Sequence, residues 1–204
     1  MKTEIMLADH PVAFVHAVDI LRNGGVLAFP TDTVYGLAAY PFEETMVERL
    51  YVAKGRNSTK AIAILIGNII DLKQIVKEMT PLALTLSKHF WPGPLTLVLS
   101  GQESLPKNLS ANKTIGVRMP NHPIALSLLK QAGPLAVTSA NISGKGNTNS
   151  AHEVLDQLGG KIHLILDGGV TPGGIPSTVV DCTGIDPVIL REGPINLDAI
   201  RAVL

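Results

Sequence analysis

Short apolar runs alternate with segments of helical spacing along almost the whole chain. Runs at 26–29, 61–66, 95–99, 114–118, 135–138, 163–166, 179–181 and 188–191 have the length and flanking turn residues of strands. Segments at 9–23, 43–54, 71–77, 80–90, 123–131, 150–158 and from 197 onward read as helices. Asp9 is placed to cap the first helix, with Pro11 in its first turn, and Gly24-Gly25 stops it. Ser150 and Glu153 make an S-x-x-E capping box. This alternation predicts an α/β chain (mixed α+β): one mixed, mostly parallel sheet with flanking helices. With 204 residues, a single domain over 1–204 is expected, its core over about 9–204.

Composition narrows the function classes. Hydrophobic residues make up 46% and charged residues 17%, so core material is ample and disorder is excluded. No apolar run reaches bilayer length, and the opening MKTEIMLADHP lacks the apolar stretch of a signal peptide. Cys182 is the single cysteine, which rules out an internal disulfide or a multi-cysteine zinc site. A cytoplasmic protein with no membrane association is the expectation. The 17 basic residues balance 17 acidic ones, so the excess typical of nucleic-acid binding is missing. Aromatics at 4% cannot build an extended base-stacking platform.

The polar residues concentrate in loops. PTDTVYGL at 30–37 follows the run at 26–29 and precedes a segment read as helical, so Thr31, Asp32 and Thr33 sit at a strand's carboxyl end. Ligands bind at such ends in open α/β sheets. Three later stretches are placed to meet it: AKGRNSTK at 53–60, VTSANISG at 137–144 and PSTVVD at 176–181.

Lys54, Arg56 and Lys60 surround Gly55. They either complement the end of a helix or hold a polyphosphate. Neither GxxxxGK[ST] nor GxGxxG occurs. Thr138, Ser139 and Asn141 form a turn, hydrogen-bond phosphate or ribose, or supply a serine nucleophile, for which the GxSxG elbow is missing. Arg118 is rim decoration or a carboxylate clamp. Ser177-Thr178 reads as a turn and Arg191 as a surface residue on their own. The six histidines show no H-x-H or HExxH pattern, so no transition-metal site is expected. Cys182 and Trp91 read as packing residues.

Taken in order, PTDTVYGL, KGR, FWPGPLTLVL at 90–99, TIGVRMP at 114–120, SANISG, PSTVVD and LREG at 190–193 resemble the YrdC family of threonylcarbamoyl-AMP synthases. The resemblance runs from about residue 9 to the C-terminus and points to the short, single-domain type, because longer relatives carry a second domain. It implies a twisted open α/β sheet (a YrdC-like fold) with a positively lined concave face. The implied activity is nucleotidyl transfer. ATP, L-threonine and bicarbonate or CO2 give threonylcarbamoyl-AMP and diphosphate, Mg2+ accompanying the ATP. A partner threonylcarbamoyl transferase complex then modifies the adenosine next to the anticodon of ANN-decoding tRNAs.

By resemblance, Lys54, Arg56, Ser139 and Asn141 are the catalytic tetrad. Thr31, Arg118, Thr138 and Ser177 bind threonine. Ser58, Thr114, Asn149 and Arg191, with the tetrad, bind the nucleotide. A labile product also needs a closed site, for which the loop at 55–60 is placed as a lid. Many members read SGxPSPT where this chain has SGKGNTN at 143–149, and a histidine that some carry before Gly67 is missing. The resemblance also suggests binding of tRNA or double-stranded RNA by the concave face. A hydrogenase-maturation carbamoyltransferase is disfavoured, because its acylphosphatase-like and zinc-finger regions are lacking.

Overall fold

The computed structural model describes residues 2–57, 60–172 and 174–204. The strands are β1 (Glu4–Leu7), β2 (Leu27–Pro30), β3 (Tyr35–Ala39), β4 (Ala63–Leu65), β5 (Leu95–Ser100), β6 (Thr114–Arg118), β7 (Leu135–Ser139), β8 (Leu164–Asp167), β9 (Thr178–Asp181) and β10 (Val188–Arg191). They form one mixed sheet in the order β1-β8-β2-β3-β7-β4-β6-β5-β9-β10. The helices are α1 (Ala13–Arg22), α2 (Glu44–Lys54), α3 (Pro81–Phe90), α4 (Pro123–Ala132), α5 (Ala151–Leu158) and α6 (Leu197–Arg201).

The mixed α/β sheet matches expectation, but parallel pairing does not dominate it. Among the described residues, β1–β8, β8–β2, β4–β6 and β5–β9 are parallel, and the other five neighbours are antiparallel. The main reason is local. Residues 30–37 do not lead into a helix; they close a hairpin in which Pro30 pairs with Tyr35 and β3 returns along β2. The Thr31 hydroxyl accepts from Thr33 N at 3.2 Å and Val34 N at 3.3 Å and donates to Val34 O at 2.6 Å, so one side chain closes the turn. YGLAA is buried at every position, and a continuous apolar run has no period to separate strand from helix.

Other boundaries moved for similar reasons. β1 lies outside the expected core region; its mostly exposed residues pair along β8, starting with Glu4 N on His163 O at 2.9 Å. Asp9 does not cap α1, whose N-cap is Val12 without a side-chain bond. The segment expected at 71–77 is a 3-10 turn over Ile69–Gln74, capped by Asn68 and Asp71. Thr80 and Ser150 cap α3 and α5 as their sequences predict, accepting from Ala83 N at 3.2 Å and Glu153 N at 3.3 Å.

The two-residue alternation of strands places the site. On one face, Ala28, Leu37, Ile64, Leu97, Val117 and Val180 pack in a core with α2, α3, α5 and α6. On the other, Leu27, Phe29, Ala38 and Leu164 pack under α1 and α4. Further along that second face, β5 and β6 present Thr96, Val98, Thr114, Gly116 and Arg118 to an open cavity.

Candidate active site

The cavity has a volume of about 410 Å3. Its wall includes Thr31, Arg56, Thr114, Arg118, Thr138, Ser139, Ser177 and Arg191, so most of the residues expected from sequence converge here. Lys54 and Asn141 sit one layer back, joined to Ser139. Asn149 is elsewhere: its backbone O and side-chain Oδ1 accept from Thr171 and its N donates to Glu153 at 2.6 Å, tying Thr171 to the start of α5. Ser58, and with it the centre of the expected lid at 55–60, lies outside the described residues.

Lys54 ends α2, and Gly55 follows in the left-handed region at φ 58°. The ammonium, 2% exposed, donates to Ser139 O, to Asn141 O at 2.6 Å and to Asn141 Oδ1 at 3.2 Å. Those three acceptors match its three N–H groups. Ser139 Oγ donates to the same Asn141 Oδ1 at 2.5 Å, and Asn141 Nδ2 donates to Lys145 O at 2.8 Å. The Ser139 proton therefore goes to an amide oxygen and not to a base, so nothing activates this serine as a nucleophile. In this state Lys54 fixes the Ser-Ala-Asn turn, and the turn presents Ser139 to the cavity.

Burial, helped by the Arg56 guanidinium, pushes the Lys54 ammonium down from 10.5 to about 7. A lysine that releases its proton more readily folded than unfolded makes stability rise with pH, here from about 7 to about 10.5; below that window the buried charge costs its full amount. A bound polyanion restores the charged form. Binding of sulfate, which has no proton of its own to exchange in this range, is therefore expected to take up a fraction of a proton at about pH 8, and close to none at about pH 6. Calorimetry in buffers of different ionisation heat checks this; identical heats in all buffers at the higher pH would contradict it.

Arg118 is held on three sides. Its Nε donates to Gly93 O at 3.0 Å, its NH1 to Thr33 Oγ1 at 3.0 Å and its NH2 to Asp32 Oδ1. Of the five guanidinium N–H groups, three are used, leaving two for a ligand. Thr33 passes the bond on to Thr31 at 3.0 Å, so the hairpin turn and the arginine form one network. The Thr31 proton is already committed to Val34 O, and this residue meets the cavity as a shape-defining wall. Arg56 NH1 donates to Thr138 Oγ1 at 2.7 Å and NH2 to Ala61 O at 2.9 Å. Arg191 donates through Nε and NH2 to Ser177 O at 3.0 and 2.8 Å.

Burial lowers all three guanidinium pKa values, and the like charges act on one another: Arg56 on Arg191, and Arg191 on Arg118. No carboxylate lines the cavity among the described residues. A chain of zero formal net charge has thus brought three arginines around one space, which suits an anionic ligand with several charged oxygens.

The sequence marks two contributors incompletely. It places Asp32 at the ligand-binding end of a strand but gives it no partner, and its pairing with Arg118 bridges 86 residues. Thr96 sits inside an apolar strand, where its alternate position was the available signal. Cys182 is buried, with its thiol pushed up to about 12 by burial and Asp181, and packs as expected.

The Sua5/YciO/YrdC family model, described as telomere recombination, matches residues 19–193. The chain is 45% identical over 190 residues to the threonylcarbamoyl-AMP synthase of Pyrococcus abyssi, covering 92% of this chain and 56% of that protein. It is 40% identical over 201 residues to the threonylcarbamoyl-AMP synthase of Bacillus subtilis, covering 97% and 58%. The crystal structure of P. abyssi Sua5 complexed with L-threonine superposes with a TM-score of 0.92 at 41% identity, covering 100% of this chain and 60% of that one. The chain thus spans between 56% and 60% of the length of these relatives.

Proposed function

The chain belongs to the Sua5/YciO/YrdC family, and from that premise we propose that it is an L-threonylcarbamoyladenylate synthase, making threonylcarbamoyl-AMP and diphosphate from ATP, L-threonine and bicarbonate or CO2. The observation that carries this reading is the cavity itself, ringed by Arg56, Arg118 and Arg191 and free of carboxylates among the described residues. Each reactant is anionic at some stage. Such a reaction gains most from positioning and charge neutralisation and needs no protein nucleophile.

The geometry supports the following division of labour. Arg118, fixed by Asp32, Thr33 and Gly93, turns its two remaining N–H groups to the threonine carboxylate. Thr31, Thr138 and Ser177 shape the wall around the amino acid. The threonine ammonium loses a proton to solvent, and the neutral amine adds to CO2 with loss of a second proton to solvent, giving a carbamate. A carbamate oxygen then attacks the α-phosphate and diphosphate leaves. Arg56 and Arg191 neutralise the phosphates, Thr114 and Ser139 hydrogen-bond the nucleotide, and Lys54 and Asn141 hold Ser139 in place. Asn149 acts on the nucleotide only through the loop it anchors, and Ser58 is assigned to the nucleotide by family resemblance alone.

Mg2+ enters with ATP as part of the substrate. Among the described residues no three His, Cys, Asp or Glu side chains are grouped to hold a metal. The product feeds a threonylcarbamoyl transferase complex acting on ANN-decoding tRNAs in the cytoplasm. RNA contact is secondary in this reading, given a formal net charge of +0. Among the described residues no helix is long and apolar enough to cross a membrane.

Isotopically labelled bicarbonate tests the chemistry. Its carbon is expected in a threonine-containing adenylate seen by mass spectrometry, only when ATP and L-threonine are both present. Label-free AMP as the sole nucleotide product would overturn the assignment.

A further inference from the structure

Thr96 lies on β5, is 5% exposed and faces the cavity. The next residue, Leu97, pairs with Val117, so Thr96 stands across the ladder from the Arg118 end of β6, on the same face. Its Oγ1 is 2.8 Å from Ser177 Oγ, which is within 3.1 Å of Arg191 NH2. A guanidinium can only donate. Ser177 Oγ therefore accepts from Arg191; accepting from a cation makes its hydroxyl the stronger donor of the Ser177–Thr96 pair, which favours passing its proton to Thr96 and leaves the Thr96 proton for an acceptor in the cavity. A chain of donors starting at a cation is polarised along its length, and its last hydroxyl is a stronger donor than an isolated one. Glycine on the neighbouring strand helps: a Cβ at Gly116 would come 3.1 Å from Thr96 Cγ2 and crowd the threonine that ends the relay.

We propose that Thr96 is a substrate-binding residue. It donates to the carboxylate of the amino-acid substrate beside Arg118, with Arg191 and Ser177 polarising it from behind. This rests on the substrate assignment above. The choice of carboxylate follows from position, since Thr96 stands across the ladder from Arg118 and is separated from Arg191 by the Ser177 hydroxyl.

The test is calorimetric binding of L-threonine, and separately of a non-hydrolysable ATP analogue, to wild type, Thr96→Val, Thr96→Ser and Thr96→Ala. Valine keeps the shape and removes the donor; it is expected to weaken threonine binding about tenfold, the scale of a hydrogen bond to a charged group. Serine is expected to restore the affinity, and the analogue to bind all variants alike. If valine is not accommodated in the fold, alanine gives the same reading. Threonine binding undiminished in Thr96→Val overturns the inference while leaving the substrate assignment intact. Loss of analogue affinity, alone or in proportion to threonine affinity, also overturns it, by placing the donor on phosphate or in the scaffold. A wild-type protein that does not bind threonine overturns the substrate assignment and this inference together.

Discussion

Lys54→Ala is expected to abolish turnover and to lower stability by about 2–4 kcal/mol. The stability loss distinguishes this account from one in which Lys54 only reaches out to phosphate. Its removal strands Ser139 O and Asn141 O and leaves Asn141 Oδ1 with Ser139 as a donor, at a residue now 2% exposed. Buried acceptors left without a partner cost more than the bond that held them was worth. The turn that presents Ser139 then loses its fixed point, and catalysis fails with it. Arginine should not rescue, because a planar fork cannot place its donors on three oxygens that converge on one nitrogen. Urea titration of the variant, beside its turnover, checks both parts. Wild-type stability with turnover lost would return Lys54 to a purely ligand-directed role.

Asp32→Asn is expected to destabilise the protein by about 3–5 kcal/mol, because it leaves Arg118 buried without its counter-charge. The two side chains are 12% and 6% exposed, so water offers little relief, and Arg191 adds a like charge nearby. The double variant Asp32→Asn with Arg118→Met should recover much of that loss, since the stranded cation goes with its partner. Binding of L-threonine should stay weak in the double variant, because the clamp is gone. A thermodynamic cycle across the four proteins reads the coupling. Additive losses would show that Asp32 and Arg118 act independently, against the network described here.

What the sequence disclosed depended on the range of the forces involved. Caps and turns are local, and Thr80 with Pro81 and Ser150 with Glu153 marked their helices correctly. The strand at 114–118 matched to the residue, because its apolar run is bounded by polar loop on one side and Pro120 on the other. Direction of pairing is not local. Nothing in YGLAA says that β3 folds back on β2, and the deciding contact is a hydroxyl bonding its own turn. β1 was missed because an exposed edge strand has no inward face to give it a period.

The site was legible as a set of residues and much less so as a set of roles. The motif stretches named most of the cavity wall before any geometry was known. Sequence could not show that Lys54 faces three oxygens of the Ser139–Asn141 turn, or that Arg118 already has an acidic partner. Those facts come from contacts between residues about 85 positions apart, which spacing along the chain does not encode. They also change what each residue can do, since a donor already engaged is not available to a ligand unless something moves.

The most direct measurement is release of diphosphate by the purified protein with ATP, Mg2+ and bicarbonate, with and without L-threonine. The account predicts release that requires threonine, falls sharply when serine replaces it, and disappears in Lys54→Ala. Release at the same rate without threonine, or none with every reactant present, would contradict it.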